Sequence, residues 1–135
     1  MKLALALPFT ITTWDGEADP APSEAGAPDL AAVALAKTYA GPDVAATATG
    51  HAVTTRGDQG ASYVAQERIV GTLHGRTGSF VLEHGASMGE GIPTELWARV
   101  VVGSGTGDFV GLSGSGLVEH ELVTLQVELP DDSAG

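Results

Sequence analysis

Polar and apolar residues alternate along most of this chain. The alternation is cleanest near the C-terminus, where Val123, Leu125, Val127 and Leu129 fall on one side and Thr124, Gln126 and Glu128 on the other. A period of two is the mark of a half-buried strand. The same reading predicts strands over residues 8–14, 31–40, 44–56, 61–74, 77–86, 93–102, 116–119 and 122–129. Residues 31–36 are alanine-rich and could start a helix on propensity alone. Val33, Leu35 and Tyr39 nevertheless keep the period of two, and Thr38-Tyr39 favours a strand. Gly41-Pro42-Asp43, Gly57-Asp58-Gln59-Gly60 and Gly75-Arg76-Thr77-Gly78 read as turns, residues 87–92 as a Gly-rich connection and residues 109–112 as a short irregular piece. About eight short, regularly spaced strands without a long helix predict an all-β sandwich or barrel. Eight antiparallel strands can just close a barrel whose interior is filled or holds one small ligand. Closure would also remove edges that this chain does not guard with lysine.

The whole chain, residues 1–135, reads as a single domain. Residues 15–29 hold Pro20, Pro22, Pro28 and several acidic side chains, and read as an acidic, proline-rich loop. Such a loop is either a mobile connection or a lid over one barrel mouth. The tail at residues 130–135 is expected to fray. The start of the chain, Met1-Lys2-Leu3-Ala4-Leu5-Ala6-Leu7-Pro8, looks faintly like an export signal. Its apolar run is short and leads straight into Phe9-Thr10-Ile11, so a first strand is the preferred reading.

Composition narrows the function classes. The net charge of −11 over 135 residues argues against nucleic acid or an anionic membrane surface as a partner, because both would repel the chain. No apolar stretch approaches the roughly 20 residues that cross a bilayer as a helix. There is no cysteine, hence no disulfide or thiolate, which suits a cytoplasmic protein. Nineteen glycines and an aromatic content of 5% suggest many turns and close strand crossings.

Candidate chemistry concentrates in the hairpin of residues 67–84. Symmetric pairing about Gly75-Arg76-Thr77-Gly78 sets Leu73 opposite Phe80, Gly71 opposite Leu82 and Ile69 opposite His84. One face then carries Ile69, Leu73, Phe80 and Leu82, together with Glu67, His84 and, further along, Tyr63. The other carries Arg68, Val70, Thr72, His74, Ser79, Val81 and Glu83. Apolar company selects the first face as the interior. Glu67 and His84 are diagonal neighbours, roughly 7–8 Å apart at Cα and within reach of each other. A carboxylate, an imidazole and a phenol on an apolar face can act as acid and base, so Glu67, His84 and Tyr63 are the candidate catalytic residues. A purely structural hydrogen-bond network is the competing reading, since buried polar groups need partners anyway. Arg68 and Glu83 would form a diagonal surface ion pair.

Trp97, Arg99, Phe80, Leu82 and Tyr39 are the expected ligand-contacting residues. Aromatic walls line many pockets, and an arginine can hold a carboxylate through two hydrogen bonds. Lys37 shares a face with Tyr39, where its stem could snorkel, and Trp14 could close one barrel end. The four histidines, His51, His74, His84 and His120, show no metal-ligand spacing. His120, between Glu119 and Glu121, reads as solvated. The glycines of Gly103-Ser104-Gly105-Thr106-Gly107 lack the spacing of a phosphate or dinucleotide loop and read as a tight turn. No cofactor and no metal are expected.

Several segments also resemble a known family. They are Phe9-x-Ile11-x-Thr13-Trp14-Asp15, Lys37-Thr38-Tyr39-x-Gly41, Ser62-Tyr63-Val64-x-x-Glu67-Arg68-x-x-Gly71-Thr72-Leu73, Gly75-Arg76-x-Gly78-Ser79-Phe80-Val81-Leu82-x-His84 and the glycine string from Gly103 to Gly116. Together they resemble small bacterial proteins of unknown function that are placed with the allene oxide cyclase-like barrels. The resemblance implies a closed, antiparallel, eight-stranded barrel with a central cavity. Related barrels include cyclases that need no cofactor. Two functions are therefore expected: a cofactor-independent cyclase or isomerase acting on an apolar or amphipathic small molecule, or a non-catalytic carrier for such a molecule. Homo-oligomerisation stays open, and the sequence does not name a substrate.

Overall fold

The computed structural model describes residues 1–19 and 26–131. Its strands are β1 (Lys2–Ala18), β2 (Asp29–Gly41), β3 (Val44–Arg56), β4 (Gly60–Leu73), β5 (Arg76–Gly89), β6 (Ile92–Val100), β7 (Thr106–Gly107), β8 (Ser113–Glu119) and β9 (Leu122–Glu128). All nine lie in one antiparallel sheet of order β4-β3-β2-β1-β9-β8-β6-β5-β7. Because β4 also pairs with β5, the sheet rings around. The two-residue β7 is an appendage on β5. The described residues contain no helix, and therefore none long and apolar enough to cross a membrane.

The first strand is longer than its pattern predicts. It starts at Lys2, pairs with β9 as far as Pro8, and then pairs with β2 from Phe9 to Ala18. Pro8 sits where β1 passes from one neighbour to the other. A residue without an N–H is tolerated at such a place, because no continuous ladder needs its donor. A bulge between Ile11 and Thr13 then reverses the parity of the strand. Before it, Phe9 and Ile11 stand opposite Tyr39 and Lys37; after it, Trp14 and Gly16 stand opposite Leu35 and Val33. That reversal turns Trp14 inward.

Residues 15–18, expected in an acidic loop, therefore continue β1, and Asp29 opens β2. Residues 20–25 of that loop, and residues 132–135 of the expected tail, lie outside the described residues. The Gly-rich connection after β5 is also shorter than expected. Residues 87–89 remain in the strand and only Glu90-Gly91 turns, with Gly91 at φ 77°.

The β4–β5 turn needs a correction. It consists of two residues, His74 (φ 50°) and Gly75 (φ 83°), not Gly75-Arg76-Thr77-Gly78. Positive φ at both central positions is the type I′ geometry, whose twist matches the strands it joins. The register becomes Leu73 opposite Arg76, Ile69 opposite Phe80, Glu67 opposite Leu82 and Ala65 opposite His84. The pairing moved by an even number of residues, so every side chain keeps its expected face.

One half of the ring is solid. Leu5, Leu7, Tyr39, Ile69, Leu73, Phe80, Leu82, Val123, Leu125 and Val127 pack into a continuous core. The Gly103–Gly107 turns lead into Phe109, whose ring meets Phe80 edge-on at 5.3 Å and helps to close that end. Among the described residues, the other half holds a small cluster around Val33, Leu35, Ala52 and Ala65, with Tyr63 against it.

Candidate functional site

The inward residues of each strand form levels. Going from the packed end outward, β2 contributes Tyr39, Lys37, Leu35 and Val33; β4 contributes Leu73, Ile69, Glu67, Ala65 and Tyr63; β5 contributes Phe80, Leu82, His84 and Ala86. Lys37, Glu67 and His84 occupy the middle level and, with Tyr39 just below them, are the buried ionisable side chains of the described residues. β2 and β4 are not neighbours, since β3 runs between them. Their long side chains meet because the inner face of β3 is nearly bare there, with Ala46, Ala48, Gly50 and Ala52 in succession. Gly50 stands opposite Glu67 itself.

Glu67 is the hub. Its Oε2 accepts from Lys37 Nζ at 2.7 Å and from His84 Nε2 at 2.8 Å. Its Oε1 accepts from the Tyr39 hydroxyl. On the far side of the imidazole, His84 Nδ1 lies 3.0 Å from the Tyr63 hydroxyl. A neutral His84 with its proton on Nε2 satisfies both contacts: it donates to Glu67 and accepts from Tyr63. The Lys37 ammonium also sits 4.1 Å from the centre of the Phe9 ring, a cation–π contact away from water. No buried side-chain polar atom among the described residues lacks a partner.

Burial pushes the Glu67 carboxyl up, but the His84 hydrogen bond, the Lys37 charge and the hydrogen bonds from Lys37 and Tyr39 outweigh it. The net result lies below the ordinary value of 4.5. Glu67 is thus a buried carboxylate that stays ionised. Burial, and then the Glu67 charge, pushes the Tyr63 hydroxyl up to about 12. Burial and Glu67 push Tyr39 up as well.

The chain has two tyrosines, and both belong to this network. Tyrosinate absorption therefore reports on the site alone. Neither tyrosine of the folded protein should ionise near the ordinary value of 10.0, and Tyr63 should ionise only near 12. The unfolded chain releases these protons near 10.0, so the stability they contribute is whole below that pH and is lost as the pH rises toward 12. An ultraviolet pH titration with parallel circular dichroism checks this. A tyrosinate rise near pH 10.0 with the fold intact would remove the network.

Above the Lys37–Glu67–His84 level the ring opens into a cavity of about 640 Å3. Lys37, Tyr63 and His84 line its floor, Phe9, Trp14, Leu35, Ala65, Ala86, Leu96 and Val118 form apolar walls, and the Glu119-His120-Glu121 turn stands at the mouth. A second cavity of about 590 Å3 adjoins it and shares Trp14, Tyr63 and Ala86 with it. Glu67 does not line either cavity. It lies beneath the floor and acts through the side chains it holds.

Of the expected catalytic residues, the structure brings Glu67, His84 and Tyr63 into one hydrogen-bonded chain. The expected ligand contacts fall elsewhere. Tyr39, Phe80 and Leu82 are fully buried in the packed half, below the floor. Trp97 and Arg99 are on the outside of the ring. Ala98 and Val100 take the inward positions of β6, and the Trp97 ring lies over Gly85, where a Cβ would come within 2.8 Å of its Nε1. Arg99 stacks 5.2 Å from Trp97 and pairs with Glu83. The surface ion pair of Glu83 is therefore with Arg99, directly opposite, and not with Arg68. Lys37 is the participant that sequence reasoning passed over. Its period-two placement beside Tyr39 was legible, but an ammonium on an inward face reads as a snorkelling side chain unless its carboxylate is known. His120 is exposed, as expected, yet stands on the cavity rim.

Residues 6–126 match the family model described as a protein of unknown function, DUF3224. The chain is also similar to a protein of unknown function of that family from Shewanella oneidensis MR-1, known from a crystal structure. The two are 30% identical with a TM-score of 0.74, over 94% of this chain and 95% of the other. No curated protein matches the chain.

Proposed function

Since the chain belongs to the DUF3224 family, whose description assigns no activity, we propose a function from the site itself: the ring is an allene oxide cyclase-like barrel whose open half binds a small apolar or amphipathic molecule and rearranges it as a cofactor-independent cyclase or isomerase. The observation that carries this reading is an apolar cavity of about 640 Å3 with an imidazole, a phenol and an ammonium converging on its floor. His84 and Tyr63 touch the substrate. Glu67 positions His84 by fixing its tautomer and ring plane, much as the carboxylate of a catalytic triad does. Apolar walls fold a flexible substrate into a reactive shape, which supplies much of the rate gain by orientation. The Tyr63 oxygen takes a proton from the substrate as its own proton passes to His84 Nδ1, and the reverse transfer returns a proton to the rearranged product.

A small-molecule extract incubated with the protein, followed by mass spectrometry of the recovered ligand, tests the reading. The expected result is a bound molecule that is converted to an isomer, with conversion falling about 100-fold or more in His84→Ala. Conversion that survives in both His84→Ala and Glu67→Gln contradicts the assigned roles. A carrier is the second reading. It is favoured by the complete pairing of the buried polar side-chain atoms among the described residues, which leaves the network satisfied without a substrate. A ligand recovered unchanged supports the carrier.

A further inference from the structure

Resting on that reading of the cavity, we infer that its floor is a proton-switched binding site that takes apolar carboxylates with the uptake of one proton. Glu67 and Lys37 cancel in charge, and with His84 neutral the floor as a whole is neutral. The single Tyr63 proton is then committed to His84 Nδ1, 3.0 Å away, so Tyr63 turns only lone pairs toward a ligand. Lys37 uses one donor on Glu67, its one hydrogen bond among the described residues, and packs against Phe9. This state offers an incoming molecule the Tyr63 lone pairs and the two remaining Lys37 N–H donors, the complement of a hydroxyl group.

Protonation of His84 reverses the Tyr63 hydrogen bond. Nδ1 becomes a donor to the Tyr63 oxygen while Nε2 continues to donate to Glu67. The Tyr63 proton is freed toward the cavity. Tyr63 and Lys37 are then both donors beside a floor carrying one net positive charge, the complement of a carboxylate. An isolated carboxylate would not enter the neutral floor without a large desolvation penalty. The two events are therefore coupled.

Among the described residues, Glu67 and Lys37, which share the Oε2 contact, are the charges close to His84, and they oppose each other. β4 contributes Glu67 and Tyr63, and β2 contributes Lys37 and Tyr39. β6 faces His84 with Ala98 and lines the cavity with Leu96. From β1 comes Phe9, and the β8–β9 turn brings Glu119, His120 and Glu121 only to the mouth. Arg99 and Glu83 are on the outer face.

Decanoate and decan-1-ol are probes with the same chain and different heads. Calorimetric titration of each into the full-length protein, in two buffers of different ionisation enthalpy, counts the protons exchanged. Decanoate should bind with uptake of one proton, and its affinity should fall about tenfold per pH unit where ligand-free His84 is neutral. Decan-1-ol should bind with no proton exchange and a flat profile. His84→Gln keeps a donor for Glu67 but cannot take a proton, so it should retain decan-1-ol and bind decanoate without uptake and at least about tenfold more weakly. Decanoate binding to the wild type without proton exchange overturns the inference, as does decan-1-ol binding without decanoate binding at any pH. Binding of neither probe overturns the cavity reading beneath it as well.

Discussion

Replacing Lys37 with methionine should lower the stability of the protein by about 3–5 kcal/mol in urea unfolding. The size follows from where Lys37 lies. Its side chain is 4% exposed and that of Glu67 is 0% exposed, so their 2.7 Å contact is shielded from water. Removing the ammonium leaves a carboxylate with no counter-charge in an apolar interior, and that desolvation penalty makes up most of the loss. The double variant Lys37→Met with Glu67→Gln removes both charges together. It should recover a large part of the loss, giving a coupling of at least about 1 kcal/mol in a double-mutant cycle. Arg99→Met, at the exposed pair with Glu83, should cost about 1 kcal/mol or less. A Lys37→Met loss as small as that of Arg99→Met would mean that Lys37 reaches solvent.

Gly50→Val should be the second severe change, losing about 1–3 kcal/mol or more through overpacking. A Cβ at Gly50 would come within 2.0 Å of the Gln66 carbonyl oxygen and 2.7 Å of the Glu67 Cα. Both are backbone atoms, so no side chain can swing aside, and β3 and β4 must separate at the level of the hub. The expected signature is a joint loss of stability and of the raised Tyr63 titration, read from tyrosinate absorption, as His84 loses its alignment. Gly16→Ala is the control. Its Cβ would meet Val33 Cγ2 at 3.4 Å and the Ala32 carbonyl oxygen at 3.9 Å, both ordinary contact distances, and the change should stay within about 0.5 kcal/mol. Equal losses at the two positions would mean that the close crossing at Glu67 is not what Gly50 protects.

These two positions also show where the sequence was readable. The inward face of the β4–β5 hairpin followed from period-two alternation, and it survived a misplaced turn because the register error was even. The eight longer strands were legible for the same reason, whereas the two-residue β7 lies in a glycine string that reads as a tight turn. The bulge after Ile11 was not, since nothing local distinguishes Thr12 from its neighbours, and with it went the inward turn of Trp14 and the length of β1. Trp97 and Arg99 were placed on one face correctly but on the wrong side of the sheet. The small Ala98 and the bare Gly85 carried the signal that the indole packs outside. Lys37 required knowledge of a strand two places away, which alternation within a single strand does not contain.

The central claim is that Glu67 is buried yet ionised, held by Lys37 and Tyr39, and in turn aims His84 and Tyr63 at the cavity. Its most direct test is the carbon-13 resonance of the Glu67 carboxyl, identified by its absence in Glu67→Gln, followed as the pH is lowered. The unfolded carboxyl takes its proton near 4.5 while the folded one resists, so stability falls as the pH drops through that value toward the depressed folded one. The expected result is a carboxylate resonance that persists below pH 4.5 in the folded protein. A resonance that titrates at or above 4.5 while the fold stands would contradict the claim.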